Sequence, residues 1–526
     1  MANKKQIQKQ KTGFLNVIAA IYAYIIFLIF PLFYTNYYFN ILASKYYFYC
    51  VIVWLLIGTL LLYGIINYQQ IIAAIQRKSF PEWLRSLRKP DLFLILLLIT
   101  MLISTLQSDY ILESLWGNTG RHTGLYLWLL YGASYFIVSR NLKFDKNLLN
   151  AFLISGVLVS LFGITDYFQM DLLYFKRQMQ DAQKAIYTST IGNINTYTAY
   201  IALVVSLAFL LFATEENTKK KIYYYIAVVI GFFAIIMGNS DNAYLSLLAL
   251  FGFTPLYLFK NWTGVKRYLI LVNTFLITAK MIHYINIIFE DKVIGVQSIF
   301  NYIANFKYLT LLIIGIFLII LLLHFYQKAF KDKIQDSIGI WLRGFWILVI
   351  VLSAAGICYC IYKVNTDPAW GTNPLLEYFR FSDSWGTNRG YIWRKLMELF
   401  NGFSIPRKIF GYGPDTFKIL MENNFYPEMT SLYQVTFDSA HNEYLQFLIT
   451  IGLSGLLFYL LFIGSSLVYM IKRSKGAPHV MAIVFAVIVY SFQAVVNINL
   501  PIITPVVMTL IMVGIAFSRD QENVIQ

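Results

Sequence analysis

Tyr308-Leu-Thr-Leu-Leu-Ile-Ile-Gly-Ile-Phe-Leu-Ile-Ile-Leu-Leu-Leu-His-Phe-Tyr326 holds no charged side chain. A helix of about 20 such residues matches the thickness of a bilayer's hydrocarbon core. The pattern recurs along the whole chain. Candidate spans lie near 13–34, 46–66, 92–108, 124–138, 149–168, 190–213, 222–238, 243–259, 267–289, 308–326, 340–362, 441–471, 480–498 and 501–517. The fold class expected is therefore an all-α polytopic membrane protein with about 14 (12–14) transmembrane helices. It carries one large extracytoplasmic loop containing short helices.

Composition agrees. The chain is 58% hydrophobic and 13% charged, against about 25% charged in a soluble domain. No single water-soluble core hides that much apolar surface. The net charge of +16 does not point to nucleic acid, because the basic residues sit in short clusters between apolar runs. Cys50, Cys358 and Cys360 all lie in hydrophobic runs and imply neither a disulfide framework nor a metal site. The basic segment Met1 to Thr12 precedes an apolar run without a small-residue cleavage site, which reads as a retained first helix.

Charge sets the topology expected. The clusters Lys4/Lys5/Lys9/Lys11, Arg77/Lys78/Arg85/Arg88/Lys89, Arg140/Lys143/Lys146, Lys219/Lys220/Lys221, Lys260/Lys266/Arg267, Lys328/Lys331/Lys333 and Lys472/Arg473/Lys475 alternate with the spans. All fall inside the cell if the N-terminus does. Both termini are then cytoplasmic, in a multi-pass membrane protein. The chain divides into 1–362 (about 11 spans), an outer loop 363–440, and 441–526 (about three spans).

The loop 363–440 carries eight basic and eight acidic residues, so it is no generic basic tail. Loops this long are usually functional. It holds Trp-Gly-Thr-Asn twice, at 370–373 and 385–388, and a helix candidate, Arg389 to Phe400. In that helix Tyr391, Ile392, Leu396, Leu399 and Phe400 are expected to face the bilayer, with Arg389 and Arg394 at the headgroups. The loop runs into the next helix through Asp438-Ser-Ala-His441-Asn442-Glu-Tyr444, with Asp438 or Ser439 as the expected N-cap. His441 is one of five histidines. A helix start suits a phosphate, and imidazole can take a proton near neutral pH. The loop's arginines can grip phosphate oxygens in pairs. Lys280 and His283 share a helical face within a span, a second site candidate weighed against snorkelling. His122 reads as a solvated loop residue, His324 and His479 as structural.

His441-Asn442, nine residues, then Gly452-x-x-Gly455 resembles the histidine motif of bacterial O-antigen ligases and the related O-antigen polymerases. Asn388-Arg389-Gly-Tyr-Ile-Trp393 and Ile409-Phe-Gly411-Tyr-Gly413-Pro-Asp415-Thr-Phe417 are similar to that family's arginine segment and glycine turn. Trp116 to Gly124 resembles its outer-loop arginine segment, and Gly192-Asn-Ile-Asn195 its helix start. One departure stands out: Asp241 and Asn242 occupy a helix start where many relatives carry an arginine. The resemblance implies a ligase-related core over 190–460 and a metal-independent, cofactor-free glycosyltransferase. The substrate implied is glycan on undecaprenyl pyrophosphate, passed to a glycan, lipid or wall acceptor within surface polysaccharide biosynthesis. Membrane lipids and other polysaccharide-assembly proteins are the further partners expected. By the same resemblance His441 activates the acceptor and Arg389 stabilises the departing charge, with Arg121, Arg394, Asn442 and Tyr444 binding pyrophosphate or glycan. A flippase or exporter of lipid-linked saccharides is the alternative, but two related halves with midplane polar residues are not evident. A non-catalytic scaffold for envelope assembly is a third reading.

Overall fold

Apolar runs fold as helices throughout the computed structural model, which describes residues 2–38, 40–76, 80–296, 299–330, 338–367, 370, 376 and 378–525. Among these, 11 helices are long and apolar enough to cross a membrane. The chain is a nearly all-α, multi-pass membrane protein whose only strands are the two-residue pair Tyr187–Thr188 and Gly192–Asn193 among the described residues. The other three expected spans are also helices. Leu125–Asn141 and Asn242–Leu258 are 17 residues each, and Thr504–Ile525 is diluted by Arg519 and Asp520. Arg77, Lys78, Lys331 and Lys333 of the charge pattern, and 371–373 of the first Trp-Gly-Thr-Asn copy, lie outside the described residues.

Burial orders the bundle. The 18-residue apolar window of Ile194–Thr214 is 100% buried, whereas those of Leu309–Ala329 and Gly339–Thr366 are 6% and 0% buried. The first is the axis and the last two lie at the periphery, apolar on every side as lipid-facing helices are. Pro478–Gln493, Thr218–Met237 and Asn242–Leu258 surround the axis. The first span ends in a π turn and a 3-10 turn around Pro31. There the buried Lys45 ammonium donates to the carbonyl oxygens of Phe30, Pro31 and Phe33 at 2.8, 3.0 and 2.9 Å. An ammonium has three protons, and here three carbonyls at the end of the span accept them.

Between the spans Gly339–Thr366 and Glu443–Ser474, the described residues form three shorter helices, Trp385–Gly402, Ile405–Phe410 and Phe417–Tyr433. The expected helix is there, but its apolar face does not meet lipid. Tyr391, Ile392 and Leu396 are buried against Phe417, Leu420, Met421, Phe425 and Met429 in a second, small core, with Leu399 and Phe400 packed on its edge. A periodic apolar stripe says that a face is covered, not what covers it. Lys280 and His283 lie far along Trp262–Ile288, with the Lys280 ammonium 5.2 Å from the Tyr284 ring centre. Neither lines the cavity described next.

Candidate functional site

The site begins with a broken helix. Inside Glu443–Ser474 the backbone at Gly452 turns to φ 71°, ψ −175°, a region open essentially to glycine. The break leaves carbonyls without helical partners, and the glycine turn fills them. Tyr412 and Gly413 donate their N–H groups to Ile449 and Thr450 oxygens at 3.2 and 2.8 Å, and the Ser104 hydroxyl adds a 2.9 Å bond to Thr450. The contact is backbone on backbone: a Cβ on Gly452 would stand 2.3 Å from the Ile409 oxygen, and one on Gly411 2.3 Å from the Thr450 carbonyl. The spacing of the histidine motif is thus the spacing of a socket for the glycine turn.

The turn in turn holds a loop. Asp415 is buried and accepts N–H bonds from Asn118 at 2.7 Å and Thr123 at 3.0 Å. Burial pushes its carboxyl up to about 6, against the pull of those bonds and of Arg121. Between the two anchors the loop carries Arg121, whose guanidinium donates to Asp438 at 2.5 Å and to the Ser439 hydroxyl at 3.5 Å. Burial works to raise the Asp438 carboxyl, but the charge and hydrogen bond of Arg121 prevail and hold it below the ordinary value.

His441 follows in a left-handed conformation, φ 47°. Its neighbours fix it on both sides. Ala440 gives its oxygen to the Trp393 indole N–H and its N–H to Gln446, both at 2.9 Å. Asn442, not Asp438 or Ser439, caps the helix, accepting from the N–H groups of Tyr444 and Leu445 at 3.0 Å each. Beneath it the buried Glu443 carboxylate accepts from the hydroxyls of Tyr459 (2.6 Å) and Tyr490 (2.9 Å) and from the Asn499 amide (3.3 Å).

Arg121, His122, Asp438 and His441 line a cavity of about 450 Å³ whose facing wall includes Asn193, Asn195, Tyr38 and Tyr187. Segments up to about 400 positions apart in sequence thus share one space. Burial, then the charges of Arg389 and Arg121, push the His441 imidazole down to about 4, with Asp438 opposing. It is a neutral base. Burial also lowers Arg389, against the Asp241 carboxylate. Asp241 therefore stands where its charge meets Arg389, at the helix start that lacks its own arginine. Arg389 donates one N–H to the Gly386 oxygen at 2.6 Å, while its Nε and that of Arg121 are buried without a partner. Such unspent guanidinium donors suit a phosphate oxygen. His122, expected as a solvated loop residue, is half-buried, its ring stacked on Tyr46 at 4.5 Å between centroids.

Three expected ligands stand apart from the cavity wall. Arg394 is exposed and bound in a fork to Asp383 at 3.0 and 2.7 Å. Tyr444 donates to the Ser491 oxygen at 2.6 Å, tying its helix to Pro478–Gln493. The acceptor of Asn442 is spent on capping. Asp415, Glu443 and the pairing of Asp438 escaped sequence reasoning. Asp415 lay inside the quoted glycine turn, but the partners of Glu443 are 16, 47 and 56 positions away and leave no local signal.

Fold and cavity together define a multi-pass helical membrane protein with basic groups gathered around a recessed histidine. Residues 226–460 match the family model described as O-antigen ligase, so it is this stretch of the chain that is similar to that family. The match covers Asp241, Arg389, Asp438 and His441; Arg121, Asn193 and Asn195 lie outside it and join the site only through the fold. No curated protein matches the chain at a significant level.

Proposed function

We propose that the protein is a membrane glycosyltransferase of the ligase or polymerase type, acting on glycan carried by undecaprenyl pyrophosphate at the outer face of a bacterial cytoplasmic membrane. The observation that carries this reading is the shared wall of His441 and Arg121, with Arg389 close enough to act on the imidazole's charge. Lys/Arg alternation supports the orientation, with both termini inside.

The chemistry follows from the charges. Pyrophosphate oxygens take the free guanidinium donors of Arg121 and Arg389, which stabilise negative charge as it grows on the leaving group. An acceptor hydroxyl loses its proton to His441 and attacks the anomeric carbon. The bond from that carbon to the pyrophosphate oxygen breaks, and undecaprenyl pyrophosphate departs. Bound pyrophosphate offsets the two cationic charges that depress His441, so the imidazole becomes a stronger base when the donor is in place. Arg389, faced by Asp241, serves where relatives use an arginine on the Asp241 helix.

The test gives purified protein in lipid a pyrophosphate-linked glycan and a soluble acceptor, and follows the glycan by mass. New glycosidic product without added metal or nucleotide is expected. Movement of the intact lipid-linked donor between leaflets with no new bond would replace this reading with export.

A further inference from the structure

The sequence leaves the aromatic residues of 363–440 undistinguished, and the fold sorts them. Phe381, Trp385 and Trp393 form a row, with ring centroids 5.2 Å apart at each step and planes inclined by 35° and 57°. Phe381 at the outer end is 55% exposed. Both indole N–H groups are turned inward: Trp385 donates to the Tyr378 oxygen at 2.8 Å and Trp393 to the Ala440 oxygen at 2.9 Å. The row therefore ends one residue from His441.

The backbone is strained to build it. Gly386, Thr387 and Asn388 follow one another at φ 60°, 60° and 68°. Left-handed conformation is a true outlier for a β-branched threonine and persists where surroundings over-determine it. Here it reverses the chain between Trp385 and the helix that carries Arg389 and Trp393, so that Trp385 folds back onto Trp393.

A belt of aromatics at a membrane surface uses its N–H groups toward water and headgroups. These indoles have none to offer; Phe381 is exposed, Trp385 and Trp393 are half-buried, and the exposed Ser382 and Ser384 hydroxyls lie beside Trp385 in the chain, 3.1 Å from each other. Aromatic faces carry negative charge density and attract the weakly positive C–H faces of sugar rings, while hydroxyls serve the rims. We infer that Phe381, Trp385 and Trp393 are a stacking platform for a glycan chain running up to His441. The choice of glycan as occupant rests on the proposed transferase reading.

Binding is measured apart from turnover. Full-length protein in nanodiscs is titrated with oligosaccharides cut from the surface polysaccharide of the expressing cells, followed by tryptophan fluorescence. Trp385→Ala is expected to weaken binding roughly three- to tenfold, the scale of one aromatic contact, and Trp385→Phe to keep it within about twofold. His441→Ala keeps the affinity and loses transfer. Equal affinity in Trp385→Ala, no binding by the unaltered protein, or quenching of Trp385 by brominated lipid overturns the platform. Oligosaccharide binding without transfer by the unaltered protein sinks only the transferase reading.

Discussion

The Gly413 N–H donates to the Thr450 oxygen at 2.8 Å, across a gap that exists because the helix breaks at Gly452. That bond connects the two most recognisable pieces of the sequence, and the rest of the site hangs from it. Gly452→Ala places a Cβ 2.3 Å from the Ile409 oxygen in a backbone region closed to alanine. It is expected to lower stability by at least about 2 kcal/mol and to abolish transfer. Gly464→Ala, on the same helix with nothing within 4 Å of its Cβ, is the control and keeps both. Thermal unfolding in detergent distinguishes them.

Two buried groups give opposite pH signatures. Asp415 is raised from 3.8 to about 6, so the folded state holds its proton more tightly and this contribution to stability is lost as pH rises through 6. His441 is lowered from 6.5 to about 4, so its contribution is present above 6.5 and lost as pH falls through 4. Relative to the unaltered protein, Asp415→Asn should therefore make stability climb more steeply with pH between about 4 and 6, and His441→Gln should make it fall. Unfolding midpoints across that range show either the two opposite tilts or none.

Asp415→Ala is a different case. It strands the N–H groups of Asn118 and Thr123, each at a cost of about 1–3 kcal/mol, and releases the Arg121 loop. Protease cleavage within 117–123 is expected in this variant and not in Asp415→Asn, whose amide oxygen still accepts. Equal resistance in both would show that the loop does not depend on the carboxylate.

The acid limb of the rate profile reports the base. For kcat/KM it is expected near pH 4, where free-enzyme His441 titrates, well below an ordinary histidine. Arg389→Gln removes a charge that depresses it and should move the limb upward while slowing transfer. A limb that stays in place in Arg389→Gln would separate Arg389 from His441.

Asp438→Asn weakens the hold on Arg121 and removes the carboxylate that opposes the cationic field at His441. Transfer is expected to fall about tenfold, the scale of one lost charged hydrogen bond, with recovery in Asp438→Glu. A variant as active as the unaltered protein would make the pair incidental.

Membrane helices were legible because a bilayer imposes a length and an apolar composition on each segment separately. Short motifs single out His441 and Arg121 in one dimension, and the fold brings both to one cavity. The socket at Gly452, the second core under Tyr391 and the inward turn of Tyr444 were not legible. Each depends on a partner from another segment, and periodicity records a covered face without naming its cover. Asn442 illustrates the limit: its place in the motif suggested a ligand, while its oxygen proves to be the helix cap.

In the proposed mechanism His441 takes the acceptor's proton beside two phosphate-binding arginines. The decisive measurement is single-turnover transfer from pyrophosphate-linked glycan by His441→Ala, at equal protein and with membrane insertion verified. A fall of at least about a hundredfold, the scale of losing a general base, is the result predicted, with donor binding retained. Transfer at the unaltered rate would contradict it.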